Sequence, residues 1–235
     1  MQKIISLITL ATLFFGFNAN AQFKGEAEAG AVVISGNSKS ESYSLKTKNT
    51  YKADANSYTI DGRYVQTTSE GVESARNWDA GIRYDRALVE DLSFFLGQKA
   101  ESDVYAGFVQ RDSTDLGGKY FLFNDEAYKW FFELGYRYTR THFVGSKIDN
   151  SNFGRLYTEF NRILSKELTF KYWAEYLPNF TNSDAYLANT EASLNVMLSQ
   201  TFSLKISYLL KYQNIGPVGG ERTDTTYTTS LVANF

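Results

Sequence analysis

Large apolar and polar residues alternate along the last part of the chain. From Phe202 to Gln213 the apolar residues occupy every second position, and Ser, Lys and Gln fill most of the gaps. After a loop containing glycine and proline, the alternation resumes over 223–235 and ends on Phe235. Period two is typical of a strand with one apolar and one polar face. Because an outer-membrane barrel pairs its first strand with its last and commonly ends on an aromatic residue, this hairpin predicts the closing hairpin of such a barrel.

The same alternating unit recurs through the rest of the chain. Each segment is near the ten or so residues that a tilted strand needs to cross a bilayer. The pattern therefore predicts an all-β fold, a transmembrane up-and-down antiparallel β-barrel of about 12 strands that forms one domain over residues 22–235. The predicted strands are 23–34, 41–53, 58–68, 76–87, 92–101, 110–123, 128–141, 153–164, 168–177, 185–198, 202–213 and 223–235.

The predicted connectors alternate between short and long. Those at 53–56, 88–91, 124–127, 165–167 and 199–201 are tight, whereas those at 35–40, 69–75, 102–109, 142–152, 178–184 and 214–222 are longer and polar. Short turns on one rim and long loops on the other are typical of bacterial outer-membrane barrels. A soluble lipocalin-like barrel or a jelly roll is the alternative. It would point its apolar face inward, and such barrels usually have fewer and shorter segments.

The first residues predict export. Lys3 precedes the largely apolar stretch 4–17, and Ala19 and Ala21 have the small-x-small spacing of a signal-peptidase site. A membrane-anchoring helix is the alternative, but the apolar stretch is too short to span about 30 Å of hydrocarbon. We expect residues 1–21 to be a signal peptide and the mature chain to reside in the cell outer membrane of a Gram-negative bacterium.

Composition removes several classes of function. The chain has no cysteine and one histidine, which excludes a lipoprotein anchor, disulfides and zinc sites built from several Cys or His. A net charge of -2 argues against binding to nucleic acid. The 17 Tyr and 18 Phe suit the aromatic girdles of a barrel wall. We expect no cofactor and no metal, and as partners outer-membrane lipid and lipopolysaccharide, the barrel assembly machinery through Phe235, and small polar solutes.

Charged residues fall on the register opposite to the apolar one, which would line the lumen of a membrane barrel. Both signs are interleaved on neighbouring strands, so the sequence predicts ion pairs that cross the interior and leave a plugged or narrow pore. A charged, selective pore is the alternative, and it would favour one sign. The predicted lumen-lining residues are Lys46, Lys48, Asp61, Arg63, Asp79, Arg83, Lys119, Glu133, Arg137, Arg155, Glu159, Lys171, Glu175, Glu191 and Lys205, with Asp85, Lys99, Glu101 and Lys211 on the same registers.

Candidate catalytic residues are sparse, and none is assigned. His142 lies where a strand passes into a long loop, near Ser146, Asp149 and Ser151 in sequence. An enzyme that modifies outer-leaflet lipid with His142 is therefore the alternative function, although a nucleophile and base are recognised by geometry that a sequence does not provide. The acidic stretch 112–115 lacks the regular ligand spacing of a calcium loop.

Several segments resemble one known family. They are Gly36-Asn37-Ser38, the stretch Glu133-Leu134-Gly135-Tyr136-Arg137-Tyr138, the strand 204–208 and the Thr-rich strand 223–232. Together they resemble the salt-induced outer-membrane proteins, a YdiY-like family catalogued as a domain of unknown function, over essentially the whole mature chain. The adjacent glycines Gly117 and Gly118 depart from the expected Gly-x-Gly-Tyr-like pattern, and we interpret them as a bend in the wall. The resemblance implies the barrel fold and its location, and it brings no substrate, cofactor or catalytic residue.

Overall fold

Twelve strands form a single closed antiparallel sheet in the structure, a computed structural model that describes residues 22–34, 39–145, 147–216 and 221–235. The predicted signal peptide, Gly36-Asn37-Ser38 and Ser146 lie outside the described residues. The strands are β1 (Gln22–Ile34), β2 (Ser40–Ala53), β3 (Asn56–Ser69), β4 (Val72–Val89), β5 (Leu92–Asp103), β6 (Phe108–Asn124), β7 (Tyr128–Phe143), β8 (Ile148–Ile163), β9 (Leu168–Leu177), β10 (Leu187–Met197), β11 (Phe202–Gln213) and β12 (Thr223–Asn234).

Every strand pairs with its neighbours in sequence, and β1 pairs with β12 to close the barrel. The prediction of an all-β, up-and-down antiparallel barrel of twelve strands is therefore confirmed. No helix in the described ranges is long and apolar enough to cross a membrane.

The two rims of the barrel differ in their connectors. One rim, which we call the short-turn rim, carries the connectors 54–55, 90–91, 125–127, 164–167 and 198–201 together with both ends of the described chain. The opposite rim, the long-loop rim, carries the connectors 35–39, 70–71, 104–107, 144–147, 178–186 and 214–222.

On the long-loop rim the strands run further than the sequence predicts. The expected loop 69–75 is a two-residue turn between β3 and β4. Glu70 and Gly71 both have positive φ, 50° and 79°, which is the backbone of the hairpin turns whose twist matches that of the flanking strands. The loop prediction was wrong here because the polar residues around the turn pair across the two strands instead of leaving the sheet.

Side-chain burial alternates along the strands with a polarity opposite to that of a soluble barrel. Leu134 is 70% exposed, whereas the carboxylate residue just before it, Glu133, is 3% exposed. Large apolar side chains such as Ile82, Leu45 and Leu134 are exposed on the outer face. The soluble alternative would require the apolar face to pack inward, and this wall does the reverse.

Candidate functional site

The inner face of the barrel carries ion pairs between strands that are not neighbours. Arg83 on β4 places Nη2 2.7 Å from Oε1 of Glu133 on β7, and Arg137 on β7 places Nη2 3.1 Å from Oε1 of Glu175 on β9. A closed sheet brings side chains of non-neighbouring strands together on its concave inner face. These charged groups therefore lie inside the barrel.

The largest group of such contacts is the arginine cluster, which consists of four cations and four carboxylates: Arg83, Lys119, Arg137, Arg155, Asp85, Asp115, Glu133 and Glu175. At its centre the side chain of Glu133 is 1% exposed and accepts hydrogen bonds from both Arg83 and Arg155. Lys119 Nζ lies 2.6 Å from Asp85 Oδ1 and 3.7 Å from Glu133 Oε1. The formal charges of the cluster sum to zero, so each buried charge has an opposite neighbour.

Arg137 extends the cluster toward the long-loop rim. Its Nε and Nη2 donate to the two carboxylate oxygens of Asp115, at 2.6 and 2.7 Å. Arg155 Nε donates to Glu175 Oε1 at 2.7 Å, the oxygen that Arg137 also contacts. The planar guanidinium matches a carboxylate in this two-bond geometry, which fixes the orientation of both side chains.

An aromatic ring supports the cluster from the wall. Phe95 is fully buried, and the Cζ atoms of Arg83 and Arg155 lie 4.2 and 5.5 Å from its ring centroid. The ring fits because Gly117 and Gly135 are paired behind it: a Cβ atom at Gly117 would lie 2.8 Å from Phe95 Cζ, and one at Gly135 would lie 3.1 Å from it. The ladder has no register shift at this pair, so no β-bulge lies here and Gly117 makes room for a ring. The bend in the wall stays a prediction.

Three further groups of ion pairs line the interior. Toward the long-loop rim, Arg63 pairs with Asp79 at 2.7 Å, Lys99 lies 3.4 Å from Asp79 and 3.3 Å from Glu101, and Arg111 lies 3.2 Å from Glu101. Elsewhere, Lys171 lies 3.1 Å from Glu159, and Lys205 lies 3.0 Å from Glu28 and 3.6 Å from Glu191.

The structure brings most of the predicted inward residues into ion pairs. The exceptions are Lys46, Lys48, Asp61 and Lys211, which form no ion pair with any part of the chain that the structure describes. Two of these lysines nevertheless lie close to the ion pairs described above. Lys46 has Lys205 and Glu28 as charged neighbours. Lys48 has Lys171 and Glu159 as charged neighbours.

Sequence reasoning missed three members of these networks: Glu28, Arg111 and Asp115. Arg111 and Asp115 lie on β6 in the same register as Lys119, at steps of four, so the period-two pattern of this strand could have identified them. Glu28 lies among alanines, where the alternation of large apolar residues is weak.

The structure separates the histidine from the nearby serine. Thr141 is buried on the inner face, and the next residue, His142, therefore points outward from β7, where it pairs with Ile148. Ser151 is buried on the inner face and its Oγ donates to Asp149 Oδ2 at 2.9 Å. His142 and Ser151 thus lie on opposite faces of the wall, and no hydrogen bond joins them within the described residues.

Phe235 closes the barrel on the short-turn rim. Its backbone exchanges two hydrogen bonds with Gly25, at 2.6 and 2.9 Å, and its ring lies over Gly25, where a Cβ atom would be 2.6 Å from Phe235 Cδ2. The ring centroid is also 6.1 Å from that of Phe23. Phe235 is placed to hold the first and last strands together, and its role as an assembly signal stays a prediction.

Comparison with known proteins identifies the family and the fold. The family described as Protein of unknown function, DUF481, matches residues 27–235. The Uncharacterized protein YdiY of Escherichia coli (strain K12) is 27% identical over 217 residues, which cover 91% of this chain and 84% of that protein. Of solved structures, the COG4313 outer membrane channel from Pseudomonas putida F1 superposes with a TM-score of 0.55 at 13% identity, covering 95% of this chain and 98% of the channel. A NanC porin superposes with a TM-score of 0.52 at 8% identity, covering 91% and 98%.

The two superpositions show that this chain has the barrel fold of these outer-membrane channels. Because the sequence identities are low, they show nothing of what passes through the barrel. The match to the family, by contrast, spans most of the chain. The resemblance found in the sequence is therefore confirmed, and this protein belongs to the DUF481 family.

Proposed function

We propose that this protein is an outer-membrane channel or binding barrel for small polar solutes, with a charged lumen that the arginine cluster partly plugs, and that it is not an enzyme. The proposal combines the barrel fold, the exposed apolar outer face and the ion pairs of the interior. The predicted signal peptide would deliver the chain to the membrane, where lipid and lipopolysaccharide would surround it and the assembly machinery would insert it.

The polarity of the wall supports the membrane location. Leu134, Ile82 and Leu45 are more than half exposed on the outer face. Each Å² of such apolar surface gains about 25 cal/mol when it leaves water. The apolar outer face is therefore stable in contact with the hydrocarbon of a lipid bilayer. Strand pairing in the closed sheet provides partners for most backbone N–H and C=O groups, as a membrane requires.

The arginine cluster carries the proposal of a narrow lumen. It extends over the inner face from β4 to β9, and it contains side chains that reach across two intervening strands, as Arg83 does to Glu133. Long paired side chains of this kind occupy the space that an open pore would leave to water. Because the cluster has no net charge, the remaining path would discriminate only weakly between anions and cations.

The opposite part of the inner face offers polar groups to a solute. Lys46 and Lys48 provide ammonium groups there that no described carboxylate pairs with, and Lys48 is exposed. Ammonium donors of this kind suit a small hydroxylated or anionic solute better than an apolar one.

Arg137→Ala tests the plugged lumen. Removing a guanidinium that touches both Asp115 and Glu175 should loosen the cluster and widen the path. We expect the variant to raise single-channel conductance in a planar bilayer, or to create it if the wild type has none. The reversal potential in a salt gradient should shift toward cation selectivity, because a positive charge is lost.

Arg140→Ala is the matched control. Arg140 lies three residues further along β7, and its exposed side chain forms no ion pair within the described residues. It should leave conductance and selectivity unchanged. A wild-type barrel that already conducts like a large open porin, with no change in Arg137→Ala, would refute the plug.

A further inference from the structure

The seam between the first and last strands is paired over only part of its length. The partners of β1 and β12 run from Glu26 opposite Asn234 to Ala29 opposite Leu231, below which Gly25 bonds to Phe235. Toward the long-loop rim, the described residues 30–34 and 223–230 have no partners across the seam, although β1 pairs with β2 as far as Ile34 and β12 pairs with β11 as far as Thr223. The barrel wall is therefore interrupted on one side, near this rim.

The interruption leaves backbone groups without partners. Gly25 and Phe235 exchange both hydrogen bonds, so on this ladder every second residue of β1 directs its N–H and C=O toward β12. Above the paired region these residues are Ala31 and Val33, which would face Thr229 and Tyr227. Unpaired backbone groups are unfavourable in hydrocarbon, so such an edge needs water or a polar partner. The strands begin to part at Gly30, where a Cβ atom would still lie 3.0 Å from the Thr229 carbonyl oxygen.

Side chains at the interruption are open to both the inside and the outside. Val33, on the outward register, is 63% exposed, and Val32, on the inward register, is 49% exposed. Tyr227 on the facing edge is 77% exposed, and its ring is tilted by 38° against that of Tyr208 of β11, with ring centroids 4.6 Å apart. This edge is thus accessible from the lumen through its inward residues and from the surroundings of the barrel through its outward ones.

The two edges differ in chemistry. The β1 edge is apolar, with Ala31, Val32, Val33 and Ile34, whereas the β12 edge from 223 to 229 consists mainly of threonines. A molecule that passes between them meets hydrocarbon on one side and hydroxyl groups on the other. This combination suits an amphiphile and is unsuited to a purely polar solute.

An apolar groove lies on the outer face next to the opening. It has a volume of about 520 Å³, and its floor includes Ala27, Ala29 and Gly62 between the larger Leu45 and Leu231. Ala29 and Leu231 are also the last residues paired across the seam. The groove is therefore continuous with the opening and extends from it along the outer wall toward the short-turn rim.

We propose that the interrupted seam is a lateral port for a single-chain amphiphile. The hydrocarbon tail lies in the outer groove, and the polar head passes between the apolar β1 edge and the threonines of β12 into the lumen. This activity does not depend on conduction through the whole barrel, so it can hold whether or not the arginine cluster blocks the lumen from end to end.

The first test asks whether the seam is open in the membrane. Because the chain has no cysteine, an engineered pair supplies the only thiols. Val33→Cys with Tyr227→Cys spans the port, and Ala29→Cys with Leu231→Cys is the matched control in the paired region on the same outward register. Paired strand positions are close enough for a disulfide. We expect mild oxidation in vesicles to cross-link the control pair within one barrel and to leave the port pair reduced.

The second test measures the amphiphile. The probe is dansyl-undecanoic acid, a single-chain amphiphile whose fluorescence rises in an apolar site, added to phosphatidylcholine vesicles containing the protein. Val33→Asp places a charge on the apolar edge and should weaken binding about ten-fold. Val72→Asp, at a residue of similar exposure at the start of β4, is the control and should bind like the wild type. Ala27→Phe, which fills the groove floor without adding charge, should weaken binding to a similar extent.

Each contrary outcome overturns the proposal. Cross-linking of the port pair as complete as that of the control pair would mean that the seam is closed. Disulfide-linked dimers of the port variant would mean that the free edges pair with a second copy of the chain. Probe binding that is unchanged in both Val33→Asp and Ala27→Phe, with the folded state checked by the heat-dependent shift on gels, would mean that no amphiphile uses the port.

Discussion

The β6–β7 hairpin and the β12–β1 seam are both antiparallel pairings in the same sheet, but they differ in extent. The hairpin is paired from Phe108 opposite Phe143 to Asn124 opposite Lys129, whereas the seam stops at Ala29 opposite Leu231. The hairpin closes a three-residue turn, and the seam joins the two ends of the described chain. Local pairing needs little loop closure, while the seam forms only after the intervening strands are in place.

The inner faces of the two regions also differ: side chains pack more densely inside the hairpin than inside the seam. Behind β6 and β7 lie Phe95 and the arginine cluster, with bulky groups in contact. Beside the seam two inner positions are small, Gly30 and Ser230: a Cβ atom at Gly30 would lie 2.7 Å from Ser44 Oγ, and Ser230 donates to Glu28 at 2.6 Å. The densely packed side is placed to narrow the lumen, and the sparsely paired side is placed to open laterally.

The largest expected effect comes from removing the centre of the dense side. Glu133→Ala leaves Arg83 and Arg155 without their shared carboxylate in a site where the glutamate side chain is 1% exposed. Breaking a buried ion pair typically lowers the free energy of unfolding by about 3–5 kcal/mol. The urea concentration at the unfolding midpoint should fall accordingly. Glu126→Ala, in the exposed β6–β7 turn, should leave the midpoint unchanged, and equal midpoints for both variants would contradict the role of the cluster.

A smaller effect is expected from crowding the wall behind the cluster. Gly117→Ala places a methyl group against Phe95 Cζ and the carbonyl oxygen of Leu134, which should destabilise the barrel by about 1–3 kcal/mol. Gly118→Ala is the control, because a Cβ atom there meets nothing closer than 4.0 Å. The unfolding temperatures of the two variants can be compared by the heat-dependent mobility shift on gels. If Gly118→Ala were the more damaging change, the glycines would serve the bend and not the ring.

A substitution at the seam should lower the free energy of unfolding less than the changes above, and it should mainly reduce the yield of assembled barrel. Phe235→Asp removes the ring over Gly25 and its contact with Phe23, which is worth about 1 kcal/mol as an aromatic pair. Because the seam is short, we expect the fraction of folded, heat-modifiable protein to fall. Leu198→Asp, at a residue of similar exposure on the same rim, is the control. An unaffected yield of Phe235→Asp would mean that the terminal aromatic is incidental.

The smallest effect is expected at the histidine. His142 lies on the outward register of β7, away from the arginine cluster, so His142→Ala should change stability by less than about 0.5 kcal/mol and leave conductance unchanged. Mass spectrometry of outer-membrane lipid from cells that produce either form would detect a lipid-modifying activity. Loss of such an activity in the variant would favour the enzyme over the channel.

The sequence by itself determined the number of strands, their direction and the polarity of the wall. Alternation such as that of 202–213 is legible because each strand contacts only its neighbours and presents its side chains to two opposite faces. The same alternation placed Glu133 and Arg137 on one face and Leu134 on the other. The same alternation along β6 also places Arg111 and Asp115 on the inner face, in register with Lys119.

Only the tertiary structure decided which of these residues meet. Arg83 and Glu133 are 50 residues apart and come together because the closed sheet curves their strands toward each other, a distance that no local pattern encodes. The turn at Glu70 and Gly71 replaced a predicted loop because strand pairing satisfies the same polar backbone groups as solvent does. The length of the β12–β1 seam likewise depends on how the whole barrel closes, since the register of the last pairing is the sum of all the others.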